Sequence, residues 1–487
     1  MRNTFAGRLR VARLLPFAVL GTALFASSSA HAEGLSIPFT KTQLKNGMVV
    51  ILAEDHTVPL AVVNITYNVG SRFEENRRTG FAHLFEHLMF MGTRRAPTKM
   101  FDGWMESAGG WNNAWTSEDR TDYYDVAPPT ALPLLLWLEA DRLRDLGPLM
   151  NQEKLNAQRD VVRNERRQNT ENTPYGLAEL RLPELLYPKE HPYHHPVIGS
   201  HEDLEAAQVD DVKNFFATYY DPANASLVVA GDFDSKALMP TIEAYFGSIP
   251  SHGKPKDPGA PGYDSSKTTL TSVVRETDED NVELGKVIYA WQTPKHFGAG
   301  DAELDLIASL LAKGKASRLY KTLVYDQKIA QDVEAAQESG VVGSRFEIGV
   351  TARPGVKLAT IEAAIDKELD SLRKTAVKPD ELERAKNIIE TGFVDRLQGA
   401  RDRAALLNAY QAEVGDPGYA QKDVDRYRAA TADGVKTVAA TFLPANARVI
   451  LHIVPKGQKD EGKPGAKKSD AKKPDATKPD AKKAVLK

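Results

Sequence analysis

The sequence predicts an α+β fold built from two similar domains, and three observations carry the prediction. The chain has 487 residues, long for a single domain. Its 42% hydrophobic and 26% charged residues are the composition of packed globular units, not of a disordered or collagen-like chain. A short segment also recurs at an offset of 222 residues: Tyr220-Asp221-Pro222-Ala223-Asn224-Ala225 is echoed by Phe442-Leu443-Pro444-Ala445-Asn446-Ala447. In each copy an aromatic residue precedes a turn and then an aliphatic run that reads as a buried strand. The strand-like stretch 61–69 precedes a helix in the first half, and 287–292 precedes the helical pattern 302–311 in the second. Domains of about 200 residues each follow.

Taken in order, residues 1–32 open with Arg2, Arg8, Arg10 and Arg13, continue with the apolar run 14–26, and end on Ala30-His31-Ala32. This pattern predicts a signal peptide, because a largely apolar run of 13 residues is shorter than the roughly 20 needed to span a bilayer. Residues 33–250 form the expected N-terminal domain. Residues 251–266, rich in Pro, Gly and Ser, form the expected linker, and 267–455 the expected C-terminal domain. From 456 to 487 the chain repeats Lys, Ala, Asp and Pro, a composition that predicts a disordered tail. The mature protein is expected to be periplasmic or secreted, without a membrane span.

Charge and cysteine content narrow the chemistry. The whole chain carries 63 Lys+Arg against 66 Asp+Glu. Four arginines in the leader and eleven lysines against five acids in the tail leave residues 33–455 at a net charge of −13. A nucleic-acid partner is therefore not expected. There are no cysteines, which excludes disulfides, thiol nucleophiles and thiolate metal sites. Any metal must be held by His and carboxylates.

One pentapeptide offers such ligands. His83-Leu84-Phe85-Glu86-His87 lies in a helical segment, and positions i and i+4 share a helix face, so His83 and His87 can bind one ion with Glu86 beside them. This is the H-x-x-E-H order; two satisfied core histidines are the bland alternative. A catalytic zinc takes three protein ligands and keeps one position for water. A third ligand is available on the helical run 151–172, where Leu155, Gln158, Val162 and Glu165 fall on one stripe. An inward Glu165 needs a cation: either the metal, or one of Arg166, Arg167 and Arg181. A second histidine group, His191, His194 and His195, has no helical spacing and reads as a loop.

Together, His83–His87, Glu165 lying 78 residues downstream, and Gly109-Gly110 before Asn113-Ala114-Trp115-Thr116-Ser117 resemble the pitrilysin-type (inverzincin, M16) metallopeptidases. The similarity runs over about residues 38–455. It implies two homologous domains, each an antiparallel sheet with helices packed on one side. It also implies one Zn²⁺ per chain held by His83, His87 and Glu165, with Glu86 as general base. Asn113, Ala114 and Trp115 would lie on a strand that receives the peptide backbone, with Gly109-Gly110 allowing close approach. Substrates would be peptides or unfolded segments.

The sequence departs from that pattern in the second half. Family members carry an Arg and a Tyr seven residues apart that contact substrate near the scissile bond; aligned on Ser317-Arg318-Leu319-Tyr320, those positions are Val324 and Gln331. Neither supplies the missing groups, and Arg318 and Tyr320 are the candidates for a shifted pair. A carboxylate expected near the third ligand is Gln158. The resemblance thus implies a zinc-bearing subunit completed by a homologous, zinc-less partner chain, the alternative being a homodimer. The competing functional reading is a zinc-retaining, non-hydrolytic peptide-binding or assembly subunit.

Overall fold

A computed structural model of the chain describes residues 34–75 and 77–457. The expected signal peptide and all but the first two residues of the expected tail lie outside the described residues. No helix among the described residues is long and apolar enough to cross a membrane.

The first half contributes strands β1 (Thr40–Gln43), β2 (Val49–Glu54), β3 (Ala61–Tyr67), β4 (Trp111–Thr116), β5 (Thr121–Ala127) and β6 (Ala225–Gly231). They form one sheet in the order β1-β2-β6-β3-β5-β4. The second half contributes β7 (Val274–Asp280), β8 (Lys286–Thr293), β9 (Ala330–Glu338), β10 (Ser344–Ala352) and β11 (Val449–Pro455), ordered β7-β11-β8-β10-β9. Apart from β1, the two orders are the same permutation. In each half the last strand returns between the first two, and the repeated Pro-Ala-Asn-Ala segment leads into that strand. Residues 251–266 run between the sheets without helix or strand; Ser251 Oγ donates to Asp221 Oδ1 at 2.5 Å and Arg72 Nη2 to Asp257 Oδ2 at 2.9 Å.

The α+β architecture of two similar domains is the expected one, but two parts of the expectation are corrected: the sheets are not wholly antiparallel, and helices do not pack on one side only. Each sheet has one parallel pair, β2 with β6 and β7 with β11, among otherwise antiparallel pairs. The last strand of each half arrives after a long helical excursion, and such a crossover permits parallel entry where a hairpin does not. Helices also cover the second face of each sheet, and they come from the other half. Helix Ala400–Val414 buries Ala404, Leu407 and Tyr410 against Ile51, Val62, Val228 and Ala230 of the first sheet. Helix Gly176–Leu186 buries Ala178, Leu182 and Leu186 against Ile288, Ala290, Val449 and Leu451 of the second.

This exchange buries both faces of the central strands, the polar Asn64, Thr66 and Ser226 included, so neither face carries a solvent-facing stripe of charges. Every residue of β3 and β6 is buried. A large apolar side chain contributes about 1.5–3 kcal/mol on burial, against about 1 kcal/mol or less for a surface ion pair. Apolar packing by the exchanged helices therefore dominates the joint between the halves. Asn408 adds specificity: its Nδ2 donates to Asn64 Oδ1 at 2.6 Å and to the Ser226 carbonyl at 3.3 Å.

On the other face of the second sheet, helix Leu358–Lys374 is tied down by Glu362, which accepts from Arg275 Nη2 at 2.6 Å and lies 2.8 Å from His452 Nε2. Burial alone would push this carboxyl up, but His452 and Arg275 reverse the balance and hold it at about 2, against 4.5 for a free glutamate. A carboxylate whose pKa is lower folded than unfolded stabilises the fold fully above the unfolded value. That contribution fades as pH falls from 4.5 through 2. In melting curves recorded across this window, Glu362→Gln should therefore lose less stability on acidification than the parent chain; parallel curves would refute the assignment.

Candidate metal centre

The helix Phe81–Leu88 starts at Gly80, whose φ of 85° is a left-handed conformation that favours glycine. Close packing adds to the requirement, since a Cβ there would sit 2.8 Å from the Ile198 carbonyl oxygen. No side chain at the N-cap satisfies the first turn. Glu74 does so from a distance: its carboxyl accepts from the Gly80 N–H at 2.9 Å and the Ala82 N–H at 2.7 Å. Burial pushes Glu74 well above the usual carboxylate range, opposed by those backbone donors. Phe81, Ala82, Leu84, Phe85 and Leu88 are buried, and the Phe85 ring packs on Phe215, Phe216 and Tyr220 with centroids 4.4–5.6 Å apart. These contacts set the rotation of the helix, and the half-buried His83, Glu86 and His87 project from its opposite side.

The helix Gln152–Glu165 faces them. Asn151 caps it, accepting from the Lys154 N–H at 3.0 Å, and Leu155 and Val162 are buried. Glu165 sits where this α-helix passes into a π-helical turn, Arg166–Glu171, a local widening frequent at functional sites. Its Oε2 lies 3.1 Å from His87 Nε2 and 3.8 Å from His83 Nε2, and the two Nε2 atoms are 3.3 Å apart. The arginines that might have claimed Glu165 are engaged elsewhere: Arg166 with Glu171, Arg181 with Glu276, and Arg167 with Asn164. Among the described residues, His83, His87 and Glu165 are the one group of three or more metal-type ligands.

The donor set fits zinc. Two nitrogens each about 2.05 Å from an ion at the tetrahedral angle lie about 3.3 Å apart, the separation observed. Burial and the neighbouring His87 push His83 down to about 4, so its imidazole is neutral, as a ligand must be. The bond from His87 holds Glu165 below the usual carboxylate range. Burial pushes Glu86 up, opposed by Thr116 Oγ1, which donates to Glu86 Oε2 at 2.6 Å. The outer support is sparse: His83 Nδ1 is buried without a hydrogen-bond partner, and Gln158 donates to Met91 Sδ at 2.8 Å.

Strand β4 runs beside this group as the edge of its sheet. Asn112, Ala114 and Thr116 alternate with the exposed Trp111, Asn113 and Trp115, so the three proposed substrate residues do not share a face. What they share is the open edge. The Ala114 N–H is taken by the side chain of its neighbour, Asn113 Oδ1, at 2.8 Å. Gly109 and Gly110 serve the fold: Gly109 has φ 77° after the helix Met100–Ser107, and a Cβ on Gly110 would meet the Val126 carbonyl oxygen at 2.7 Å.

The other predicted residues lie apart from the ligand group. His191 packs on Tyr187 and Tyr263, His194 Nδ1 lies 2.9 Å from the Tyr187 carbonyl, and His195 Nδ1 is 3.7 Å from Glu74 Oε2. Arg318 is bound to Glu381 at 2.8 Å, while Tyr320 opens a π-helical segment, Val324 is half-buried and Gln331 is exposed on β9. Sequence reasoning missed Glu74 and a contact of Thr116. A cap arriving from six residues upstream has no local signature, and Thr116 becomes informative only once β4 is known to abut the helix that carries His83 and His87.

Comparison with known proteins identifies the family. Residues 49–193 match the family described as "Insulinase (Peptidase family M16)", and residues 206–389 match "Peptidase M16 inactive domain". The chain belongs to peptidase family M16. It is 29% identical over 388 residues to the zinc protease PqqE of Helicobacter pylori, covering 79% of this chain and 85% of that one. It is 23% identical over 430 residues to the mitochondrial-processing peptidase subunit beta of Lentinula edodes, covering 83% and 88%. A crystal structure of a protease from Helicobacter pylori superposes with a TM-score of 0.78 at 25% identity, over 86% of this chain and all of that one. The periplasmic protease PqqL from Escherichia coli gives 0.71 at 18% identity, over 86% of this chain but 48% of its own length.

Removing the distant cap tests the construction of the site. Glu74→Ala leaves at least two N–H groups at the first turn without their acceptor, a loss of about 2 kcal/mol or more. The urea midpoint should drop accordingly, while Glu75→Ala, at an exposed neighbour, should leave it unchanged. Equal midpoints for Glu74→Ala and the parent chain would show that another group caps this helix.

Proposed function

We propose that this chain is the zinc-bearing subunit of a metallopeptidase that hydrolyses peptides or unfolded segments outside the cytoplasm. The supporting observation is the convergence of His83, His87 and Glu165 from two helices, with Glu86 beside them and an open sheet edge alongside. All four residues fall within 49–193, the part matching the peptidase description, whereas the "inactive domain" match covers 206–389. The inactive label therefore concerns a stretch that contains none of the four.

When bound, zinc would polarise the peptide carbonyl and make water acidic enough to attack at neutral pH. The chain's own residues do the rest. His83, His87 and Glu165 hold the ion. Glu86, its pKa raised by burial, accepts the proton of the attacking water and passes it to the departing amine. The edge of β4 receives the peptide as an added strand, with the carbonyl of the incoming chain replacing Asn113 Oδ1 at the Ala114 N–H.

The second half supplies no free Arg and Tyr at the substituted positions, so we assign those contacts to a homologous partner chain lacking the H-x-x-E-H sequence. A protein in which such a unit makes up about half the chain, as in PqqL, is consistent with paired units. Residues 1–32 would direct export, in keeping with the periplasmic designation of PqqL.

The test is turnover of a quenched peptide by the isolated chain, by the chain mixed with such a homologue, and by both after chelation. The mixture should cleave, chelator should abolish cleavage, and zinc should restore it. Glu86→Gln should lower kcat by about 10²–10⁴-fold with close to one zinc per chain retained, and Glu165→Ala should lose the metal. Full turnover by the isolated chain would refute the split site. Stoichiometric zinc without turnover in any assembly would favour the non-hydrolytic reading instead.

A further inference from the structure

We propose that Thr116 is a positioning residue for the general base, fixing which oxygen of Glu86 is free to take a proton and linking that choice to peptide docking on β4. The inference rests on the assignment of Glu86 as the base and adds a residue that this assignment does not contain.

Among the described residues, Thr116 supplies the hydrogen bond made to the Glu86 carboxylate, Oγ1 donating to Oε2 at 2.6 Å. A hydroxyl has one hydrogen to donate. Directed at Oε2, it engages one acceptor site of that oxygen and fixes the rotation of the carboxylate, leaving Oε1 the less encumbered acceptor. An unrestrained carboxylate rotates between equivalent orientations, and a displacement of about 1 Å from the productive geometry can cost about 10²-fold in rate.

The donor is itself held. Thr116 pairs in register with Thr121, which is buried and donates to the Val69 carbonyl at 2.8 Å, and the Ser117 N–H reaches the Arg120 carbonyl at 2.9 Å. The β-branched side chain has little freedom at χ1, which suits threonine to this task better than serine. Thr116 also occupies the same face of β4 as Ala114, two residues away. A peptide pairing along the open edge would order the strand that carries the hydroxyl, so substrate binding and base placement share one element.

Two threonine variants separate the hydroxyl from the packing. Thr116→Val keeps size, branching and strand propensity but removes the donor; Thr116→Ser keeps the donor. In the active, zinc-loaded assembly, Thr116→Val should lower kcat by about 10–100-fold with KM within about twofold, and Thr116→Ser should stay within a few-fold of the parent. Metal content and melting temperature should not change in either. Independently of turnover, the infrared carboxylate stretch of Glu86 in the zinc-loaded chain, assigned by difference against Glu86→Gln, should shift in Thr116→Val and not in Thr116→Ser.

Several results would overturn the proposal: unchanged kcat in Thr116→Val, equal damage from both variants, a rise in KM alone, or an unshifted carboxylate band. An active parent with an unaffected Thr116→Val defeats this inference and leaves the peptidase reading standing. A parent inactive in every assembly defeats both.

Discussion

Everything at the candidate centre depends on the rotation of one short helix. Phe81–Leu88 has eight residues, barely two turns, and an isolated helix of that length has little stability in water. Its orientation is imposed from both sides: Phe85 is packed among Phe215, Phe216 and Tyr220, and its first turn is held by the buried Glu74. A helix turned by one residue, about 100°, would carry His83 and His87 away from Glu165. The apolar face therefore does more than stabilise; it aims three polar side chains.

A second constraint joins the halves. Each sheet has its second face covered by a helix from the opposite half, so the strand next to His83, His87 and Glu165 is supported by residues far along the chain. Arg120, in the turn between β4 and β5, pairs with Glu413 on the exchanged helix, and Glu413 is bound in turn by His296. The second half is thus part of the mechanical support of the β4 edge. It has that role without placing any residue of its own in the candidate centre.

Much of this was legible in the amino-acid order. The 222-residue echo marked equivalent strands, now seen as the last strand of each sheet, and the stripe through Leu155, Val162 and Glu165 anticipated the inward carboxylate. The helical run 151–172 is bounded at its start by Asn151, a local capping signal; its final π-helical turn has no counterpart in the periodicity. The resemblance gives Gly109-Gly110 a part in peptide approach; that the fold itself requires glycine at 110 is decided by the Val126 carbonyl, which comes from a strand paired only in three dimensions.

The sequence by itself determined the ligand types, their spacing on two helices and the duplication of the chain, because helical periodicity and strand-forming runs are written in local order. Only the tertiary structure decided that the two helices face each other at 3.1–3.8 Å from imidazole to carboxylate, that Glu74 caps the first from a loop, and that Thr116 reaches Glu86 from another strand. Those contacts join residues from 6 to 82 positions apart, where no periodicity connects them and packing alone sets the distance.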